Sequence, residues 1–399
     1  MKFGNSPYTD EVVLLPREEQ ERRLERIRLL MAENGLDAIL ISDLANIYYL
    51  TGRVYAGFVY IPAQSHPIYF VRRPVELKGD FIVEIRKPEE IAESIGLNAP
   101  ATLGLEFDVA PYSKVMRLSK IFPEAAIENA SGVMRRARAV KTAFELDMLS
   151  RSGVIQAHVY KEIPKLFKVG MSDIELQVEI ERVSRLDGCL GQFRISGDSM
   201  ELYMGNVLAG ANADAPSPYD FAMGGAGLDP SLPVGANGDL IKPGTTVMVD
   251  MNGNYTGYMT DMTRTFALGD IEEKALKAHQ LSIDIHRALQ RSALPGAKAS
   301  DLYKEALEMV READLERYYM GHRQHAGFIG HGVGIEINEL PVIAPRSRDV
   351  VEENNVIALE PKFVIPGVGA VGIENTYVVR GDGLHSLTVF PEEIQYFSY

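Results

Sequence analysis

One cysteine, Cys189, is present in 399 residues. A lone thiol excludes an intrachain disulfide framework and a cysteine-based metal cluster, and it fits a reducing compartment. Long apolar runs are missing too. The longest uncharged stretch, Val54 to Val71, is broken by Pro62, Gln64, His66 and Pro67, so no membrane span is expected there. Met1 to Val13 carries charge and proline without an apolar stretch, so no secretory signal is expected either. Positive charge is in the minority, with 41 basic against 55 acidic residues and a formal charge of −14. Such a field repels phosphate backbones and anionic lipid, which argues against nucleic-acid and membrane partners. What is abundant is core material: 46% of the residues are hydrophobic, too many for a disordered chain. The expectation is a soluble, cytoplasmic protein of two to three domains, at roughly 100–200 residues each.

The patterning divides near Val140. Before it, Leu24, Ile27, Leu30 and Met31 recur at helical spacing and Gly35 follows as a stop. Short apolar runs at Ala38–Ser42, Phe58–Ile61, Ile68–Val71, Thr102–Phe107 and Ala126–Glu128 have strand length, with a helical pattern over Tyr112–Phe122 between the last two. This alternation predicts a small α/β domain over residues 1–140. After it come helical patterns at Thr142–Phe167, Asp173–Leu186, Glu272–Arg291 and Ala299–Ala313, a hairpin over Thr245–Leu268, and strands around Ile357 and Ile373. That half, residues 141–399, is predicted to be α+β. Between the second helix and the hairpin, residues 205–244 are rich in Gly, Pro, Ala and Asn, as suits irregular backbone around a site.

The chemistry-bearing residues lie in the second half. Asp250 ends the apolar run Val247-Met248-Val249, and Asp261 follows across the hairpin turn. Neighbouring antiparallel strands would bring the two carboxylates close if both face the same side. His331 sits between glycines in Gly330-His331-Gly332-Val333-Gly334, so its ring has little steric cover. Glu360 in Ile357-Ala358-Leu359-Glu360-Pro361 and Glu374 in Val371-Gly372-Ile373-Glu374-Asn375 are charges in apolar runs, where an unpaired carboxylate is costly. If the four carboxylates converge, each pair about 4 Å apart costs roughly 4 kcal/mol at an effective dielectric near 20. Two divalent cations would neutralise them. Oxygen donors with one imidazole suit manganese, cobalt, iron or zinc better than calcium. Such a pair can polarise a carbonyl and activate water, which points to metal-assisted hydrolysis.

These segments resemble the family of Xaa-Pro dipeptidase, aminopeptidase P, methionine aminopeptidase and creatinase. The resemblance is carried by Val249-Asp250 through Gly257-Tyr258, Asp261-Met262-Thr263-Arg264-Thr265-Phe266, Gly330-His331-Gly332-Val333-Gly334 with Glu339 and Pro341, Leu359-Glu360-Pro361, and Gly372-Ile373-Glu374-Asn375-Thr376. It runs through residues 140–395, and the amino-terminal part looks like that family's smaller, creatinase-type domain. It implies a pita-bread catalytic fold, metal ligation by Asp250, Asp261, His331, Glu360 and Glu374 with Asp261 and Glu374 bridging, a bridging hydroxide as nucleophile, and a homodimer. Glu360 and His331 are the expected catalytic residues, Glu360 as proton relay. Asn338 and Glu339 are the expected substrate contacts. Arg53 and Tyr55 join them, because loops of the smaller domain approach the partner's site in related enzymes.

The departures are as specific as the match. Where relatives carry histidines, this chain has Gly327, Asn338 and Ser217, and Gly372 replaces an arginine. The metal core is kept while the groups that recognise proline peptides are absent. A small peptide is the leading substrate class. A small non-peptide C–N substrate, as in creatinase- or ectoine-hydrolase-like relatives, or a lyase reaction, is the alternative, and a non-catalytic binding protein is a third. Three further features are expected to be inert. Gly367 to Gly372 matches a dinucleotide-binding glycine pattern but is followed by a β-like run rather than a helix. His322 and His325 read as loop residues, and Arg135–Lys141 as a solvated connector face.

Overall fold

The computed structural model of the chain describes residues 14–398 apart from 97–98, 192–193, 196–202 and 220. It forms two compact units, Val13–Arg138 and Ala139–Tyr399. In the first, the helix Arg17–Glu33 buries Ile27, Leu30 and Met31, as its spacing predicts. A six-stranded mixed sheet runs in the order Ile82–Glu84, Ile68–Arg73, Ala56–Pro62, Ala38–Ile41, Thr102–Leu105, Ala126–Asn129. The central strand Ala38–Ile41 is buried along its whole length, which is why it reads as an unbroken apolar run rather than an alternating one.

The stretch Arg135–Lys141 corrects its expectation. Residues Ser131–Ala139 are helical, and Arg138 and Lys141 are both buried. Lys141 Nζ lies 2.9 Å from Glu339 Oε2 and donates to the Ala139 carbonyl at 3.3 Å. A buried acid needs a counter-charge, and Lys141 supplies it, so this basic run is partly structural.

The second unit is built outward from the hairpin. Strands Thr245–Asn252 and Asp261–Leu268 pair over eight positions, from Thr245 opposite Leu268 to Asn252 opposite Asp261. Gly205–Ala209 extends this sheet on one edge and Gln395–Phe397 on the other. The long helix Ala143–Leu166 starts at a capping box in which Thr142 and Glu145 satisfy each other's backbone amides. It braces the hairpin through buried polar groups. Gln156 donates to the Met251 carbonyl and accepts from the Thr260 hydroxyl at 2.7 Å. Tyr160 accepts from Met251 N at 3.2 Å and donates to the Met262 carbonyl.

A second sheet orders Glu339–Ile343, Gly330–Gly332, Val356–Leu359, Asn375–Arg380 and Gly383–Ser386. A two-stranded ribbon, Lys362–Ile365 with Gly369–Gly372, joins it to the hairpin. The single strand expected around Ile373 is broken there. Ile373 and Glu374 fall between the ribbon and Asn375–Arg380, and Glu374 instead makes an isolated backbone bridge to Thr263 of the hairpin. The glycine-rich Gly367–Gly372 forms the ribbon's turn and second strand with no helix after it, as expected. Helix Glu273–Ser292 backs the ribbon with polar groups. Ser282 donates to the Pro361 carbonyl and accepts from Ile373 N at 3.1 Å. His279 accepts from Gly372 N at 3.1 Å, and His286 holds the Ile373 carbonyl at 3.1 Å.

Candidate metal centre

The hairpin register decides the geometry of the two aspartates. Asp250 stands opposite Thr263, and Asp261 lies two residues before Thr263 on that strand. Both side chains therefore leave the same face as diagonal neighbours. The Thr376 hydroxyl pins the second strand from the neighbouring sheet, accepting from Asp261 N at 2.8 Å and donating to the Asp261 carbonyl at 2.9 Å.

His331 enters from the strand Gly330–Gly332. The flanking glycines are demanded by neighbouring backbone: a Cβ at Gly330 would lie 2.6 Å from the Ala358 carbonyl, and one at Gly332 would lie 2.2 Å from that of Leu340. His331 Nε2 is 3.4 Å from Glu360 Oε1 and 4.0 Å from Glu374 Oε1. Glu374 Oε2 accepts from the Thr263 hydroxyl at 2.8 Å. Behind it the buried Arg264 guanidinium donates to the Thr263 and Glu374 carbonyls and to Asn375 Oδ1, each at 2.8 Å. Arg264 is thus a clamp holding the break in the strand where Glu374 projects.

One charged residue in the cluster was not singled out in the sequence. Lys362 Nζ lies 2.9 Å from Asp250 Oδ2, 2.8 Å from Glu360 Oε2 and 2.9 Å from Glu374 Oε2, and its side chain is 1% exposed. It follows Leu359-Glu360-Pro361 by one residue and precedes Phe363-Val364-Ile365. A lysine two residues beyond a buried glutamate and leading an apolar strand needs an anionic partner. That was the available signal.

The electrostatics follow from this crowding. Burial pushes the Asp261 carboxyl well above the usual range, and the charges of Glu374, Asp250 and Glu360 push it further. Burial, then Glu360, raises Glu374 as well. Glu360 moves the other way: burial opposes ionisation, but Lys362 and His331 outweigh it. Burial works against the Lys362 ammonium, yet Asp250, Glu360 and Glu374 hold it protonated well above the ordinary lysine range. His331 is likewise raised by Glu360 despite burial.

Two overlapping triads can hold a metal: Asp261, His331 and Glu374, and Asp250, Glu360 and Glu374. Within each, ligand atoms lie within 4.8 Å of one another. Glu374 belongs to both, as a bridging ligand must, and Asp261 to one. The first triad fits a divalent cation. Glu374 Oε1 is buried there without a hydrogen-bond partner, and carboxylates with an imidazole are suitable donors. The second is already occupied by the Lys362 ammonium. The cluster forms the floor of a cavity of about 210 Å³ whose walls include Phe221, Phe328, Ile337, Asn338 and Val342.

Metallopeptidase family M24 matches residues 147–381. The chain belongs to that family. The creatinase/prolidase N-terminal domain matches residues 23–140, so the pairing of a creatinase-type domain with a pita-bread M24 domain stands as the sequence implied. A peptidase of Bacillus subtilis, YqhT, is 27% identical over 384 residues, covering 93% of this chain and 99% of that protein. An Xaa-Pro dipeptidase of Pyrococcus furiosus is 25% identical over 381 residues, covering 94% and 99%. Among solved structures, an Xaa-Pro dipeptidase from Bacillus anthracis superposes with a TM-score of 0.79 at 24% identity, covering 94% of this chain and 99% of that one. The same fold is found at 15% identity in the N-terminal domain of the FACT complex subunit SPT16 from chickpea, with a TM-score of 0.70 and coverage of 96% and 99%. This M24 protein is a metallopeptidase-like hydrolase.

The four positions where the resemblance led us to expect histidines or an arginine fall into different surroundings. Asn338 lines the cavity. Gly327 is exposed, and a Cβ there would meet nothing within 4 Å. Ser217 is turned away, donating to the Pro233 carbonyl at 3.1 Å. Gly372 has φ +129° and lies across the ribbon from Lys362; a Cβ would come within 2.9 Å of the Pro361 carbonyl and 3.0 Å of Lys362 Cα. An arginine cannot be accommodated there without shifting the strand that carries Lys362.

Of the remaining candidates, Glu339 is buried beside Lys141 and accepts from Ile335 N at 3.1 Å and Glu336 N at 3.2 Å. It holds the loop that follows His331. His322 pairs with Asp214 at 3.0 Å, and exposed His325 bonds the Tyr319 carbonyl at 2.8 Å; neither lines the cavity. Arg53 and Tyr55 belong to the N-terminal unit, Arg53 exposed and Tyr55 buried with its hydroxyl donating to the Phe58 carbonyl at 3.4 Å. Among the described residues, no helix is long and apolar enough to cross a membrane.

Proposed function

We propose that this chain hydrolyses a C–N bond beside an apolar group in a small peptide, using a divalent cation held by the carboxylate–histidine cluster. The observation that carries this reading is the convergence of Asp250, Asp261, His331, Glu360 and Glu374 on the floor of one cavity with an apolar wall. A cation bound there would supply Lewis acidity toward a carbonyl and a nearby water, a role suited to manganese, cobalt, iron or zinc. The chain's own groups do the rest. Phe221, Phe328, Ile337 and Val342 receive an apolar side chain and exclude water. Glu360 Oε1, facing His331, takes up a proton and returns it to the departing amine, a task typically worth about 10²–10⁴-fold in rate. The Xaa-Pro dipeptidases among the relatives make the Xaa-Pro bond the first to try.

A second reading keeps the site and changes the substrate to a small non-peptide amide. It is supported by the lining: among the described residues around the cavity the sole cationic or imidazole side chain is His331, so among them a dipeptide's carboxylate finds no counter-charge beyond that ring. The test is a panel of Xaa-Pro dipeptides, longer Xaa-Pro peptides and cyclic amides, with chelation and manganese or cobalt add-back. The expected result is metal-dependent cleavage, with Xaa-Pro dipeptides turned over at a kcat/KM below about 10⁵ M⁻¹s⁻¹. Cleavage of cyclic amides alone would select the second reading. Full activity after metal removal would overturn both.

A further inference from the structure

We infer that the Lys362 ammonium is built into the centre in place of one divalent cation, so that the site holds a single metal, at Asp261, His331 and Glu374, rather than the two expected from the sequence. This rests on the reading that the centre binds a divalent cation at all. The three carboxylates that Lys362 touches are the three members of one triad, each at 2.8–2.9 Å. An ammonium has three N–H donors, and here each has a carboxylate oxygen. A metal at about 2.0–2.2 Å from the same oxygens would overlap Nζ and meet its positive charge.

Lys362 has no retreat. It begins a strand buried from end to end, its backbone is tied to Met320 through the Met320 N to Lys362 carbonyl bond at 2.8 Å, and Gly372 lies directly opposite. A withdrawn ammonium would be a buried charge without a partner, which is strongly unfavourable. Glu374 shows the same division within one side chain. Its Oε2 is saturated by Lys362 and Thr263, while its Oε1 is buried without a hydrogen-bond partner on the side of His331 and Asp261. One position is filled and the other is left open.

The charges agree. Four carboxylates, one ammonium and one divalent cation leave a single net negative charge around a neutral imidazole. Two divalent cations with the ammonium retained would leave a net positive one, with two of the three cations competing for the same oxygens.

The test is metal stoichiometry on the purified full chain, titrated with manganese and read by elemental analysis and electron paramagnetic resonance. The wild type is expected to take up one equivalent and to show an uncoupled six-line signal. Lys362→Ala is expected to take up two, with the exchange-coupled signal of a manganese pair. Asp250→Asn, which leaves the open triad intact, is expected to keep one equivalent. Two coupled equivalents in the wild type would overturn the inference while leaving metal dependence standing. One equivalent in both the wild type and folded Lys362→Ala would also overturn it. No manganese in any of the three would overturn the metal-dependent reading itself and this inference with it. Should Lys362→Ala not fold, a wild-type count of two still overturns the inference by itself.

Discussion

The two triads that share Glu374 are made of similar residues, yet they resolve their charge in opposite ways. Asp250, Glu360 and Glu374 are neutralised from within the chain by an ammonium two residues along from one of them. Asp261, His331 and Glu374 share that ammonium only through Glu374 Oε2, and among the described residues no other ammonium or guanidinium meets them, while Glu374 Oε1 is buried without a hydrogen-bond partner. The first triad is satisfied by folding. The second waits for something the chain does not supply. Residues of similar type, gathered in one cluster, can therefore differ in whether the chain itself supplies their counter-charge.

The strongest way to break this comparison is to disable the open triad. Asp261→Asn removes a charge found there and not in the filled triad, so manganese binding should be lost and turnover should fall by about 10³-fold or more, on the scale of losing a preorganised electrostatic group. Elemental analysis and steady-state kinetics check it. Retained metal would mean that the cation sits elsewhere.

Removing the internal cation should act on stability before activity. Lys362→Ala leaves buried Glu360 and Glu374 and partly exposed Asp250 facing one another, and breaking a buried charge pair costs about 3–5 kcal/mol. Denaturant melts in chelator should show a loss of that size, and manganese should restore much of it, since a ligand at a hundredfold excess over its Kd stabilises by about 2.7 kcal/mol. In the wild type the same chelation should cost less than in the variant.

A third prediction sharpens the contrast between metal core and substrate wall. Asn338 lines the cavity and Gly327 has open space for a side chain, so Asn338→His combined with Gly327→His should fold and raise kcat/KM on Xaa-Pro peptides by up to about 10²-fold, within the usual range for an added acid–base group. Gly372→Arg should instead fold poorly, because its backbone conformation and the approach of Pro361 and Lys362 forbid a side chain. Paired kinetics and thermal melts of the two variants separate these effects.

The smallest effect concerns the neutral histidines behind the ribbon. Burial lowers His279 to about 4 and His286 to about 3, against about 6.5 in the unfolded chain. A depressed histidine pKa means that the unfolded state takes up a proton first. Stability should therefore decline as pH falls below about 6.5 and go on declining toward 4 for His279 and 3 for His286, by about 1.4 kcal/mol per pH unit for each. By pH 5 that is about 2 kcal/mol per histidine. Urea melts at pH 7.5 and 5 on the wild type and His286→Gln test it: the variant should lose about half of this acid sensitivity. An equal pH dependence in both would remove His286 from the account.

Much of the fold could be read from local pattern. The helices at Arg17–Glu33, Ala143–Leu166 and Asp173–Leu186 and the hairpin over 245–268 each follow from periodicity, capping residues and turn signals held within the segment itself. That Asp250, Asp261, His331, Glu360 and Glu374 converge was legible for a related reason: a charge inside an apolar run must be paired, and here they gather in one cluster. Elsewhere local reading failed. Lys141 looked solvated because its charge is matched far along the chain, by Glu339 almost two hundred positions away. Gly372 read as standing in for an arginine, and only the packing shows that a side chain there would crowd Pro361 and Lys362.

The sequence by itself determined which residues are chemically expensive to bury and therefore which belong to a centre. Only the tertiary structure decided how those charges are divided. In the chain, Lys362 before Phe363-Val364-Ile365 signals only that it needs an anionic partner; which partners it has follows from the ribbon and hairpin registers, which together place Asp250, Glu360 and Glu374 around one nitrogen. Coulomb energy depends on distance in space, and spacing along the chain does not encode that distance until the strands have paired.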